Sequence, residues 1–248
     1  MSSTSTLYLL NQTYSSWSLR AWLAARFVNY PCNVHVFRLS KDIDYGTPKA
    51  VEMLSQAGPT KKVPTLHVEV DGEKIIIFET LAIIEFLYEA NPQIWPSGKA
   101  NRALARAISA EMSASFMSLR SNYPMNVKAR LPFSQAYFDQ IPGNATDLAR
   151  VVKIFSTCRA RVNEREELKK IDQGFLFGAF TGADAMYAPV CWRIKSYGLP
   201  VEDEAAKQYV ETLLNSDLVQ QWVQEAALET EVIPVSEIEP LIKQAEQQ

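Results

Sequence analysis

Residues 61–90 read KKVPTLHVEVDGEKIIIFETLAIIEFLYEA, and the order of patterns within them decides the fold. Leu66, Val68 and Val70 alternate with polar neighbours, as a strand packed on one face does. Asp71-Gly72 is a two-residue hairpin signal, because the favoured turn needs positive φ at both central positions. Ile75 to Phe78 supplies the returning strand. From Thr80 the period changes, and Leu81, Ile84, Leu87 and Tyr88 fall on one helical face. Pro64 suits the head of a strand, where the ladder does not require its missing N–H. If the Val63–Pro64 bond is cis, the turn exposes the N–H and C=O of Val63 for β-pairing with a peptide-like ligand; the sequence leaves the isomer open.

Working outward toward the N-terminus, Thr6 to Leu10 is a short apolar run ended by Asn11-Gln12-Thr13. Leu19, Leu23 and Phe27 recur at helical spacing, Val34 to Phe37 alternates, and Lys49 to Ser55 continues as a helix. Strand, helix, strand, helix, hairpin and helix make a small α/β unit with a mixed sheet over residues 1–90. Working outward the other way, Asn91 to Gly98 (NPQIWPSG) has linker chemistry, and the strand signals nearly vanish after it. Leu104, Ile108, Met112 and Phe116 form one apolar stripe, and Leu148, Val151, Val152, Phe155 and Val162 another, which predicts two long antiparallel helices. Thr181-Gly-Ala-Asp184 has the spacing of a capping box. Helices follow over Glu202 to Asn215 and Asp217 to Leu228, and the tail from Glu231 is acidic and polar, so loose packing is expected of it. Residues 99–248 thus form an all-helical unit.

Composition narrows the chemistry. The chain has 248 residues, 47% hydrophobic and 21% charged, with 13 Pro and 9 Gly, which is the profile of a folded globular protein. Its net charge of −3 gives no bulk attraction to nucleic acid or an anionic membrane. No stretch of about 18 apolar residues occurs, and MSSTST lacks the features of a signal peptide, so a cytoplasmic location is expected. There are two His and three Cys; the cysteines are far apart, with no C-x-x-C pair, and His35 and His67 each stand alone, so no zinc-spacing pattern can be written and a metal site is not expected. Cys32, Cys158 and Cys191 are expected to be small apolar packing residues. An enzyme built from this chain has few of the usual reactive groups of its own.

Two further junctions carry chemistry. Tyr14-Ser15-Ser16-Trp17-Ser18-Leu19-Arg20 lies where the first strand hands over to the first helix. A serine there is usually a cap; alternatively its hydroxyl and the free N–H groups face an anion such as a thiolate, and the spare hydroxyls allow one residue to cap and another to face the ligand. Ser18 competes with Ser15 for that role, but it falls at the third helical position and is expected to bond backbone. Trp17 is expected to pack or to form a pocket wall, and Arg20 to be structural. At the second junction, Glu79-Thr80 sets a carboxylate and a hydroxyl beside another helix start, a pair suited to both charges of a free amino acid.

Together these segments resemble the cytosolic glutathione transferase superfamily. YSSWSLRAWLA is similar to the serine-type motif, KKVPTL to the cis-proline segment, FETLAIIEFL to the γ-glutamyl-binding segment, and IWP to the inter-domain linker. FTGADAMYAP is similar to the capping box of the long core helix. LRSNYPMN, Leu119 to Asn126, points to a bacterial and fungal subgroup. Gln56-Ala57-Gly58-Pro59 departs from the usual turn, and residues 126–147 carry extra loop. The resemblance implies a thioredoxin-like glutathione-binding domain followed by an all-α substrate domain, in a homodimer. Ser15 is then the donor to the glutathione sulfur. Val63 and Pro64 meet the cysteinyl unit, Glu79 and Thr80 the γ-glutamyl charges, and Lys62 and Lys49 the glycyl carboxylate. Tyr14, Met112, Phe116, Arg120 and Tyr123 are candidates for a pocket that takes a small hydrophobic electrophile, with Met112 and Phe116 equally suited to the helical core. The implied reaction is thiol transfer. A glutathione-dependent cis–trans isomerase, of the maleylacetoacetate isomerase or fungal polyene type, is the alternative, and a non-catalytic glutathione-binding scaffold is a third.

Overall fold

The computed structural model describes residues 5–247. Strands β1 (Ser5–Leu10), β2 (Cys32–Phe37), β3 (Thr65–Val70) and β4 (Glu73–Phe78) form one sheet in the order β2-β1-β3-β4. β1 and β2 are parallel and joined through α1 (Ser16–Phe27), whereas β3 runs antiparallel to both β1 and β4. The β3–β4 hairpin is closed by Asp71 and Gly72 at φ 52° and 82°, the conformation that the sequence there favours. β1 is central, so Leu7, Leu9 and Leu10 are all buried. β4 is an edge, and Ile75, Ile76 and Phe78 stay exposed. α2 (Pro48–Ser55) begins with Thr47 as its cap and Pro48 in its first turn, and α3 (Thr80–Ala90) follows β4 directly.

A short 3₁₀ turn, Pro92–Ile94, leads into the helical half. Its helices are α4 (Lys99–Ala114), α5 (Met117–Asn122), α6 (Gln135–Asp139), α7 (Asn144–Glu164) and α8 (Glu166–Lys169), then α9 (Gly182–Tyr197), α10 (Glu204–Asn215), α11 (Asp217–Ala227) and α12 (Glu239–Ala245). α4 and α7 are antiparallel, since Glu111 near the end of α4 pairs with Arg150 near the start of α7, while Asn101 accepts from Arg161 at the other end. α9 is the buried axis of this half. Its capping box forms as the spacing predicts: Asp184 Oδ2 accepts from Thr181 N at 2.7 Å, and Thr181 Oγ1 accepts from Ala183 N at 3.3 Å. α1 packs on α3 and on α9, so Ser18 through Ala25 are all buried. The start of α1 is therefore held by both halves of the chain.

Two expectations fail. The apolar stripe does not continue through Phe116: α4 stops at Ala114, and Phe116 sits in the left-handed region at φ 62°. Met112, Phe116, Arg120 and Tyr123 consequently do not share a helical face. Arg120 instead folds back, its Nη1 donating to the carbonyls of Met112, Ser113 and Ser115 at 3.0–3.3 Å. A cation there answers the free carbonyls at a helix C-terminus. The tail is also not loose. Ile233, Ile238 and Ile242 are buried, and Ile233 enters a small core with Leu10, Phe37, Leu39 and Leu54 of the sheet half. Each of these isoleucines removes a large apolar side chain from water, worth about 1.5–3 kcal/mol when complete.

Candidate functional site

The loop between β1 and α1 is tied on every side. Ser15 N donates to Asn11 O at 2.9 Å, and the Asn11 side chain exchanges two hydrogen bonds with the backbone of Leu39. From the far end of the chain, the buried Glu229 carboxylate accepts from Gln12 N at 2.6 Å and Thr13 N at 2.8 Å, and also pairs with Arg38. Trp222 Nε1 donates to Gln12 O at 2.8 Å. Tyr14 Oη donates to Glu237 Oε1 at 2.6 Å, and burial followed by that carboxylate raises the phenol pKa. Tyr14 is thus a protonated anchor for the C-terminal segment.

Ser15 is the cap of α1, accepting from Ser18 N at 3.3 Å, and its hydroxyl donates to Ser18 Oγ at 2.7 Å. Ser18 is fully buried, and its oxygen also accepts from Leu10 N at 2.9 Å. These bonds separate the two serines: Ser18 is spent on the backbone, whereas half-buried Ser15 opens on a cavity. One residue does both the capping and the facing. A hydroxyl rotates freely enough to turn its proton toward an anionic acceptor, and the Ser18 hydroxyl can then donate to Ser15 Oγ in its place.

That cavity measures about 410 Å³ and is lined by Ser15, Trp17, Tyr45, Val51, Leu54, Thr60 and Lys61 to Val63, among others. A second cavity of about 160 Å³ adjoins it, sharing Trp17, Thr60, Lys62 and Val63 and adding Pro64, Glu79 and Thr80. The Val63–Pro64 bond is cis. Glu79 lies at φ 70°, an unusual conformation for a non-glycine residue and one that clusters at ligand sites. Thr80 Oγ1 is buried without a hydrogen-bond partner among the described residues, beside the open N–H groups that begin α3. A buried hydroxyl left unpaired costs about 1–3 kcal/mol, so a ligand acceptor is the natural completion. The double cavity therefore offers a hydroxyl and helix start at one end, a lysine-bearing rim, and a carboxylate with an unpaired hydroxyl at the other.

The predicted residues do not all converge. Ser15, Lys62, Val63, Pro64, Glu79 and Thr80 line these cavities, together with Trp17. Lys49 is exposed on α2, outside either lining. Met112, Phe116 and Tyr123 belong to the buried core, and Arg120 lies half-buried against Trp17. Thr60, Tyr45, Val51 and Leu54 line the larger cavity without having been singled out from sequence, and nothing in their local pattern marks them. Burial raises the pKa of Cys32 and pushes Cys158 up to about 12, so neither thiol is poised as a nucleophile. Among the described residues no group of His, Cys, Asp and Glu could hold a metal, and no helix is long and apolar enough to cross a membrane.

Comparison with known proteins bears on this geometry. Residues 14–90 match the family model described as glutathione S-transferase, N-terminal domain. A Caenorhabditis elegans protein named as a probable maleylacetoacetate isomerase is 34% identical over 117 residues, 46% of this chain and 49% of its own. The aligned region spans about half the length of that relative. A Burkholderia glutathione transferase homolog, solved with bound glutathione, superposes with a TM-score of 0.56 at 21% identity, over 90% of this chain and 98% of its own. A maleylacetoacetate isomerase from Anaeromyxobacter dehalogenans, also solved with glutathione, gives 0.54 at 19% identity over 89% and 95%.

Proposed function

We propose that this chain, which has the glutathione transferase fold and carries that superfamily's N-terminal domain over residues 14–90, binds glutathione in the double cavity and activates its thiol for attack on a hydrophobic electrophile. The observation that carries this is Ser15, a helix-capping serine that lines one of two adjoining cavities, the other lined by Glu79 and by Thr80, whose hydroxyl is unpaired among the described residues. In this reading Thr80 and the α3 N-terminus receive the γ-glutamyl carboxylate, and Glu79 receives its ammonium. Val63 pairs its peptide groups with the cysteinyl unit, while Lys62, with Lys61 and more distantly Lys49, faces the glycyl carboxylate. A free thiol with a pKa near ~8.5 is only a few per cent ionised at neutral pH. A hydroxyl donated to an anionic sulfur supplies ~1.5–3 kcal/mol and the helix start a further ~0.3–1 kcal/mol, enough to lower that pKa by roughly one to three units. The thiol proton leaves to solvent, the sulfur bonds to the electrophilic carbon of an activated double bond as its π bond breaks, and the displaced electron pair takes a proton from water, so that substrate and glutathione combine without loss of atoms. Of the pocket candidates, Arg120 lies against Trp17, which lines both cavities, whereas Tyr14 donates to Glu237 and lines neither. The same reading makes the protein a cytoplasmic homodimer, for which the exposed Ile75, Ile76 and Phe78 on the β4 edge offer apolar surface.

A second outcome is favoured by the identity to the nematode protein over 117 residues. If the electrophile is an activated cis double bond, the sulfur adds, the carbon–carbon bond rotates, and elimination returns glutathione unchanged. Incubation with glutathione and an unsaturated ketone or acid, followed by mass spectrometry, separates the two: an adduct heavier by one glutathione means transfer, and an isomer of unchanged mass means isomerisation. Neither product, with glutathione still bound, leaves the scaffold reading.

A further inference from the structure

Trp17 stands two residues after Ser15 in the first turn of α1 and lines both cavities. Two guanidinium groups lie over its ring, that of Arg20 at 4.4 Å and that of Arg120 at 5.0 Å from the ring centre. Both distances are within the reach of a cation–π attraction. Each cation is in turn tied to backbone of the helical half. Arg20 Nε donates to Met186 O on α9 at 2.8 Å, and Arg120 Nη1 donates to the carbonyls of Met112, Ser113 and Ser115 at the end of α4.

The two arginines are not equivalent. Arg20 follows Trp17 by three positions on the same helix and is fully buried, so it belongs to the frame of α1. Arg120 comes from α5, across the junction between the halves. It arrives there because α4 stops at Ala114 and the buried Phe116, at φ 62°, turns the chain. A non-glycine residue persists in that conformation only where its surroundings over-determine it. No acidic side chain pairs with Arg120 among the described residues, so the α4 carbonyls and the Trp17 ring are what answer its charge. A neutral amide can donate to those carbonyls. The attraction to the ring needs the cation.

We propose that Arg120 is a positioning residue for the thiol site: it holds Trp17, and with it a wall common to the two cavities, at a place set by the end of α4. Resting on the reading of the double cavity as a glutathione site, this gives the helical half control over the fit of the tripeptide through a side chain that lines neither cavity. Without the cation, Arg20 alone holds the ring, and the indole is free to shift toward either cavity.

The test uses the full chain labelled with 5-fluorotryptophan. Its five tryptophans are observed by fluorine magnetic resonance, and Trp17→Phe identifies the signal of Trp17. In the unliganded chain, Arg120→Gln is expected to move and broaden that signal, and Arg120→Lys to restore it. Calorimetry is expected to show glutathione binding weakened roughly three- to tenfold by Arg120→Gln, whereas in a Trp17→Leu background the same substitution changes affinity less than about twofold. A merely structural loss does not depend on residue 17 in this way. Should Arg120→Gln not fold, Trp17→Leu carries the test alone, with the ring-current displacement of the Arg120 Nε proton expected to vanish; a proton that stays in place counts against the assignment. A Trp17 signal unmoved by Arg120→Gln overturns the proposal, and so does an equal loss of affinity with and without the tryptophan. A wild-type chain that does not bind glutathione refutes the proposed function instead, and the fluorine signal still decides whether Arg120 holds Trp17.

Discussion

Replacing Ser15 by Ala removes one oxygen that has two separable duties. As the cap of α1, Ser15 Oγ accepts from Ser18 N, and loss of such a cap costs about 1 kcal/mol. For a chain of this length that lowers the unfolding midpoint by about 2–4 °C, a small change. As the donor at the cavity, the same hydroxyl is assigned ~1.5–3 kcal/mol of preference for an ionised sulfur, or about one to two pKa units. The sign follows directly. A donor stabilises the thiolate and lowers the thiol pKa, so its removal raises that pKa toward the free value of about 8.5. Ultraviolet titration of bound glutathione is expected to show this rise, with a loss of roughly three- to thirtyfold in kcat/KM near neutral pH, the upper bound being set by the few per cent of free thiol still ionised there. Above about pH 9 the two proteins converge, because the thiol ionises in both. Ser18→Ala provides the contrast. It leaves the Leu10 N–H unanswered in the interior, costing about 1–3 kcal/mol of stability, and shifts the thiol pKa far less. A Ser15→Ala protein that binds glutathione with an unaltered thiol pKa refutes the assignment, and a large shift in Ser18→Ala alone would reverse it.

Thr80→Val is expected to leave the unliganded protein as stable as before, since its hydroxyl has no partner to lose, while weakening glutathione binding by roughly ten- to a hundredfold in calorimetry. Glu229→Ala removes a carboxylate with no exposed side-chain surface that holds two loop N–H groups and Arg38, so a loss of about 3–5 kcal/mol is expected in denaturant unfolding. Asp184 is pushed up by burial to about 6 from an ordinary 3.8, so between those values the folded chain holds a proton that the unfolded chain has released. Stability from this group therefore falls as pH rises through that window, and Asp184→Asn is expected to flatten the slope there while lowering stability throughout, because the amide cannot accept all the bonds of the capping box. Alkylating agents are expected to leave activity intact, since Cys158 and Cys191 are buried and burial raises the pKa of Cys32. Loss of activity on labelling Cys32 contradicts this.

What could be read from sequence was what local chemistry decides. The β3–β4 hairpin follows from Asp71-Gly72, the start of α9 from Thr181 and Asp184, and the separation of Ser15 from Ser18 from their positions relative to the first turn of α1. The break after α4 was illegible because its left-handed residue is Phe116, not the glycine or asparagine that usually announces one. A helical spacing of apolar residues ran through that point unaltered, and so did the expectation built on it. The packed tail was hidden for another reason. Ile233 and Glu237 share no period, and their partners Leu10 and Tyr14 lie more than two hundred residues earlier, where tertiary context alone selects them.

That long-range tie bears on where the activity is encoded. Every motif assigned to glutathione binding falls within the first ninety residues, yet the peptide N–H groups of Gln12 and Thr13 are answered by Glu229, the carbonyl of Gln12 by Trp222, and the hydroxyl of Tyr14 by Glu237. Without the helical half, those loop groups turn to water, and the face of α1 that meets α9 is exposed. Ser15 borders the cavity at a position that residues from the other end of the chain help to fix, through the three residues before it. A substitution in α11 or in the C-terminal segment can therefore alter the thiol site without touching any residue of the motifs, and its mark is a changed thiol pKa with the cavity lining intact.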